Sequence, residues 1–202
     1  YTDIVGISPY LAGWIYALGI SWDAITDPFM GYLAERTSSK RGRYRPYIFF
    51  GTIPLALSFV LLFWVPPLEG VSLFLCLLII NIFHRTCFTI VSVPYSSLTP
   101  RITSDSEERT KLTTARMIGA SFGTLLMSSL GFPIINHFGQ DNESLGIIYL
   151  SSFAACFAVI ILYITYASVK ESSTKEIKET YPSVSKLILS ILKNYPFWIV
   201  FS

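Results

Sequence analysis

Five long apolar runs, separated by short polar connections, leave this chain few ways to fold. They cover residues 9–34, 47–66, 71–98, 113–136 and 145–168, and a further run starts at 196. A bilayer core about 30 Å thick takes ~20 apolar residues per helix, so each of the five is long enough to cross one. Runs 47–66 and 145–168 contain no charged residue at all. Of the 202 residues, 14% are charged and 52% hydrophobic, where an average soluble domain carries ~25% charged residues. That balance excludes a disordered chain. It also argues against a nucleic-acid binder, which gathers Lys and Arg on one face. The expected fold is an all-α, multi-pass membrane protein in contact with the lipid bilayer.

The punctuation agrees. Pro66-Pro67-Leu-Glu-Gly70 cannot continue a helix and reads as a tight turn. Residues 137–144 form a second polar connection, and Ser104-Asp105-Ser-Glu-Glu108 resembles a helix start with caps available. Residues 170–194 read as a lysine-rich linker with an amphipathic helix expected over 184–192. The chain opens at Tyr1 and closes inside the aromatic run 195–202, so it is expected to be a piece of a longer protein.

Orientation follows from the cations. Of 15 Lys and Arg, five follow the first run (Arg36, Lys40, Arg41, Arg43, Arg45) and three follow the third (Arg101, Arg109, Lys111). Five more lie in the linker (Lys170, Lys175, Lys178, Lys186, Lys193), while connections 67–70 and 137–144 hold none. By the positive-inside rule, loops 35–46 and 99–112 and the linker 170–194 are cytoplasmic, in a plasma membrane. The remaining two, Arg85 and Arg116, lie within the runs.

Charges inside spans carry the chemistry, because a carboxylate at mid-membrane costs at least ~2.5–3.5 kcal/mol on insertion scales. Asp23 and Asp27 are four residues apart and share one helix face. They can supply hard oxygen ligands to Na⁺ or exchange protons; a cap or a packing ion pair is the plainer alternative. The loop beyond them, with Gly31, Glu35, Arg36, Arg41, Gly42, Arg43 and Arg45, is a cytoplasmic anchor or a switch. Its arginines can bind helix C-terminal carbonyls and exchange partners as helices rock. Cys76, Cys87 and Cys156 are widely spaced in apolar runs and read as packing residues. No nucleophile–base arrangement, phosphate loop or metal spacing points to an enzyme or a bound cofactor.

Trp22-Asp23-Ala…Asp27-Pro28…Gly31, Gly42-Arg43…Arg45-Pro46, Pro94-Tyr-Ser-Ser-Leu98-Thr-Pro100 and Asp105…Glu108-Arg109 together strongly resemble the glycoside–pentoside–hexuronide:cation symporters. These form the melibiose-permease-like branch of the major facilitator superfamily. The resemblance implies twelve helices in two six-helix halves, with this chain supplying helices two to six and the start of seven; the remaining transporter helices would be its partners. It implies secondary active transport of a sugar or glycoside by alternating access, coupled to H⁺ or Na⁺. By the same resemblance Asp23, Asp27 and Thr89 match the cation site and Arg116 an arginine near the substrate. Ser92 and Ser96 stand where the melibiose-transporting type has an aspartate and a tryptophan, and Arg85 where it has a small residue. Those departures keep open a facilitator or a carrier of lipid-like solutes on the same scaffold. A truncated, non-transporting fragment is the third possibility.

Depth ties Arg85 to the aspartates. Asp23 and Asp27 lie 12 and 8 residues before Glu35; Arg85 and Thr89 lie 13 and 9 before Leu98. At ~1.5 Å per residue, each pair sits level in two spans that run the same way. An arginine at that depth must pair or reach water, so Arg85 is expected to pair with Asp23 or Asp27.

Overall fold

The computed structural model describes residues 2–37, 39, 42–103, 105–139 and 143–169, with only the backbone described at 3, 4, 100, 101 and 143. Arg41, the linker 170–194 with its expected helix, and the run from 196 lie outside these residues. The described chain is helical between its connections: α1 (Thr2–Val5), α2 (Pro9–Arg36), α3 (Arg45–Leu61), α4 (Gly70–Ile102), α5 (Ser106–Gly139) and α6 (Glu143–Ser168). Among the described residues α4, α5 and α6 are each long and apolar enough to cross a membrane, and α3 is a shorter apolar helix. In α2 the same length is diluted by Asp23, Asp27, Glu35 and Arg36.

Local chemistry sets the ends. Ser8 accepts a hydrogen bond from the Leu11 amide, and Pro9 follows in the first turn of α2, where its missing N–H costs nothing. Pro46 plays the same part in α3. Helix α3 stops at Leu61, earlier than the run to 66, because the chain is already turning through 62–63 ahead of Pro66-Pro67. Gly70 opens α4 at φ +60°, a left-handed conformation that favours glycine. Helix α5 begins at Ser106, well before the apolar run at 113, and α4 runs on to Ile102, so most of the expected loop 99–112 is helical. The cause is a cap: Asp105 accepts from the Glu107 amide, and Glu107 and Glu108 place negative charge at the helix start.

Helix α4 packs against both α2 and α3, α6 against α3 and α5, and α5 barely touches α4. One buried cluster (Met30, Ala34, Tyr44, Ile48, Leu98) joins α2, α3 and α4 at the end bearing the basic loops, with Leu162 and Tyr166 of α6 against it. A smaller one (Ile7, Ile15, Leu77) closes the opposite end. Close approach is bought by glycine at particular places. A Cβ at Gly51 would lie 2.6 Å from Val91 Cγ2, and one at Gly146 would lie 2.6 Å from the Ile135 carbonyl oxygen. A Cβ at Gly13, Gly119 or Gly123 would meet no described neighbour within 4 Å. The close α3–α4 and α5–α6 approaches use Gly51 and Gly146 instead.

Candidate functional site

Charged and polar side chains of two neighbouring helices gather on the seam between α2 and α4. The two helices run parallel with a constant offset of 62 residues across it: Asp23 meets Arg85 and Asp27 meets Thr89. Arg85 Nη1 donates to Asp23 Oδ2 in an ion pair whose side chains are 19% and 28% exposed. Thr89 Oγ1 donates to Asp27 Oδ1 at 2.7 Å. Trp22 Nε1 adds a third tie, donating to Thr86 Oγ1 at 2.9 Å. Thr86 in turn donates to the Ile82 carbonyl.

Arg85 is held from other directions too. Its Nε donates to Asn81 Oδ1 at 3.1 Å, and its Cζ lies 5.5 Å from the Tyr16 ring centroid. Gly19 gives its stem room, since a Cβ there would collide with Arg85 Nε and sit 2.7 Å from Asn81 Oδ1. The same offset thus relates Gly19 to Asn81, Asp23 to Arg85 and Asp27 to Thr89. Pro28 follows Asp27 inside α2 and carries no N–H, so the Ala24 carbonyl between the two carboxylates has no donor four residues on. Formally, two carboxylates and one guanidinium leave the seam one unit negative.

Sequence reasoning singled out Asp23, Asp27, Arg85 and Thr89, and the fold brings them together. It missed Gly19, Asn81, Trp22 and Thr86 as members of the seam. For Gly19 and Asn81 the signal is the four-residue step, which places Gly19, Asp23 and Asp27 on one stripe of α2 and Asn81, Arg85 and Thr89 on one stripe of α4. Ser92 is half-buried and Ser96 exposed, and among the described residues no hydrogen bond joins either to the aspartates. Arg116, exposed on α5, sits with its Cζ 5.4 Å from the ring centroid of Tyr95, the residue before Ser96. His84 meets Ser58 Oγ at 3.1 Å and the Phe59 ring, tying α4 to α3.

In the basic loop, Gly42 has φ +105° and closes a turn onto the Ser39 carbonyl. Arg45 Nη2 donates to the Tyr166 carbonyl at 2.7 Å and its Cζ stands 4.6 Å from that ring, capping the last turn of α6. Arg36 stacks on Tyr32 at 4.2 Å, with Glu35 exposed beside it. A Cβ at Gly31 would come within 3.9 Å of Val93 Cγ1 on α4, and Arg43 is half-buried at the turn before α3.

Three helices long and apolar enough to cross a membrane, beside a polar seam between α2 and α4, mark a multi-pass integral membrane protein. A family model described as MFS/sugar transport protein matches residues 1–202. The inner membrane symporter YicJ of Escherichia coli is 30% identical over 200 residues, covering 99% of this chain and 43% of that protein. The isoprimeverose transporter of Lactiplantibacillus pentosus is 29% identical over 203 residues, covering 99% of this chain and 42% of its own length. The sodium-dependent lysophosphatidylcholine symporter 1-A of Danio rerio is 37% identical over 136 residues, 66% of this chain and 25% of that protein. The chain belongs to the MFS/sugar transport family, in its glycoside–pentoside–hexuronide:cation symporter branch. It is a plasma-membrane protein of a family of transporters, not enzymes, and it spans less than half the length of these relatives.

Proposed function

We propose that this chain is the larger part of the N-terminal half of a secondary active transporter that moves a sugar or glycoside with a cation by alternating access. The observation that carries this reading is the seam itself: two carboxylates and a threonine hydroxyl at matched depth on α2 and α4. Membrane interiors tolerate such groups where they serve an ion or substrate path. Asp23, Asp27 and Thr89 are the coupling site, with H⁺ or Na⁺ as the coupling ion. Ser92, Ser96 and Arg116 are this half's contribution to the solute pocket, and the remaining helices supply the rest. The basic loop, with Gly31, Glu35, Arg36, Arg41, Gly42, Arg43 and Arg45, is the cytoplasmic switch. Arg45 on the α6 terminus is the contact whose exchange would accompany rocking.

Uptake of labelled glycosides, pentosides and hexuronates by the complete protein in proteoliposomes tests the reading. A lysophospholipid belongs in the panel, because the Danio rerio relative is named for one. Concentrative uptake of a sugar-class solute is expected. Asp27→Cys is expected to abolish accumulation against a gradient while sparing exchange at equal concentrations, since only the former draws on an ion gradient. Unchanged accumulation in that variant removes the coupling role from Asp27, and transport of lysophospholipid alone overturns the substrate class.

A further inference from the structure

An ion that is to couple transport must enter the seam, be held there, and leave. Arg85 meets only the second condition, and it does so permanently. Its guanidinium bonds Asp23 through Nη1 and Asn81 through Nε, lies against Tyr16, and has its stem fitted to the gap at Gly19. These contacts use its fork of donors in different directions, so the group is oriented as well as charged. We infer that the Arg85 guanidinium is a tethered resident cation, occupying at Asp23 the place a free Na⁺ would take, so that this protein binds no Na⁺ at the aspartate pair.

The inference rests on the coupling-site reading above and narrows it. For Na⁺ to bind between Asp23 and Asp27, both carboxylates must turn oxygen lone pairs toward one point. Asp23 is turned to Arg85 and Asp27 to the Thr89 hydroxyl. A guanidinium has five N–H donors and no acceptor, so it can ligate no metal ion. It also stays charged and would repel a second cation at these separations. Because Arg85 is part of α4, its charge never crosses with the solute, and a Na⁺ gradient finds no entry at this position. The remaining groups, Asp27 with Thr89, offer too few oxygens to replace the water shell of a hard cation by themselves.

The test compares thermal unfolding of the complete purified protein in sodium chloride and in choline chloride, at fixed ionic strength and pH. Wild type, Arg85→Gln and Arg85→Ser are compared, the glutamine keeping a partner for Asn81 without the charge. No Na⁺-specific shift is expected for wild type, and a saturable upward shift is expected once the charge is removed. A saturable Na⁺ shift in wild type overturns the inference, as does its absence from every folded uncharged variant. If neither variant folds, the wild-type comparison still decides, and Na⁺-independent solute uptake by wild type gives a second readout. Failure to take up any solute in the panel would sink the transport reading and leave the Na⁺ comparison intact, so the two can fail separately.

Discussion

Asp23 and Asp27 sit four residues apart on one face, yet their surroundings make them unequal. Asp23 answers a guanidinium, and Asp27 answers a neutral hydroxyl. Asp23→Asn strands the Arg85 charge, and breaking a buried pair typically costs ~3–5 kcal/mol. With Asp23 28% exposed, the loss should fall at the low end of that range. Asp27→Asn keeps an oxygen for Thr89 to donate to, so its loss should stay below ~1.5 kcal/mol, the lower bound for bonds to charged groups. Thermal unfolding in detergent checks the order. Adding Arg85→Gln to Asp23→Asn should recover most of the lost stability, and an additive double variant would mean that the pair contributes nothing. At this scale Asp23, Asp27, Arg85 and Thr89 were legible because charge inside an apolar run stands out. Gly19 and Asn81 were not, because their meaning depends on which face of α2 meets which face of α4, and the residues lie 62 apart in the chain.

Helices were legible as elements, and their ends less so. Hydropathy marks the part of a helix that faces lipid, whereas caps mark where the backbone turns, and α5 shows the two diverging by a full two turns before residue 113. Nor did hydropathy say which glycines bring helices together. At Gly51 an added methyl meets side-chain atoms of Val91 and Ile90. At Gly146 it meets the backbone of Ile135, 2.6 Å from the carbonyl oxygen and 3.0 Å from Cα. Side chains repack more readily than backbones, so the two substitutions should differ. Overpacking costs ~1–3 kcal/mol, against which alanine returns ~1 kcal/mol of helix propensity. Gly51→Ala is therefore expected to lose ~0–2 kcal/mol and Gly146→Ala more. Unfolding midpoints of the two variants check this; equal midpoints would argue against the α5–α6 approach.

For the whole molecule, the cation distribution makes a topological prediction. Single cysteines placed at 67–70 or 137–139, in a background lacking Cys76, Cys87 and Cys156, should react with an impermeant reagent outside intact cells. Cysteines at 35–37 or 42–45 should not, and the opposite pattern would invert the orientation. Helix α5 leaves large apolar side chains such as Met117, Phe122, Leu125 and Phe132 uncovered and meets chiefly α6. On the transporter reading proposed above, its neighbours on those faces are lipid and further transporter helices, which these 202 residues alone do not supply. The seam has a mechanical consequence as well. Three cross-ties at Trp22–Thr86, Asp23–Arg85 and Asp27–Thr89 resist sliding and twisting between two parallel rods, so α2 and α4 behave as one stiff beam. A short bifunctional thiol reagent joining Trp22→Cys to Thr86→Cys should then leave solute exchange intact, because it fastens parts that already move together. Arrest by that link would mean the beam flexes during the cycle.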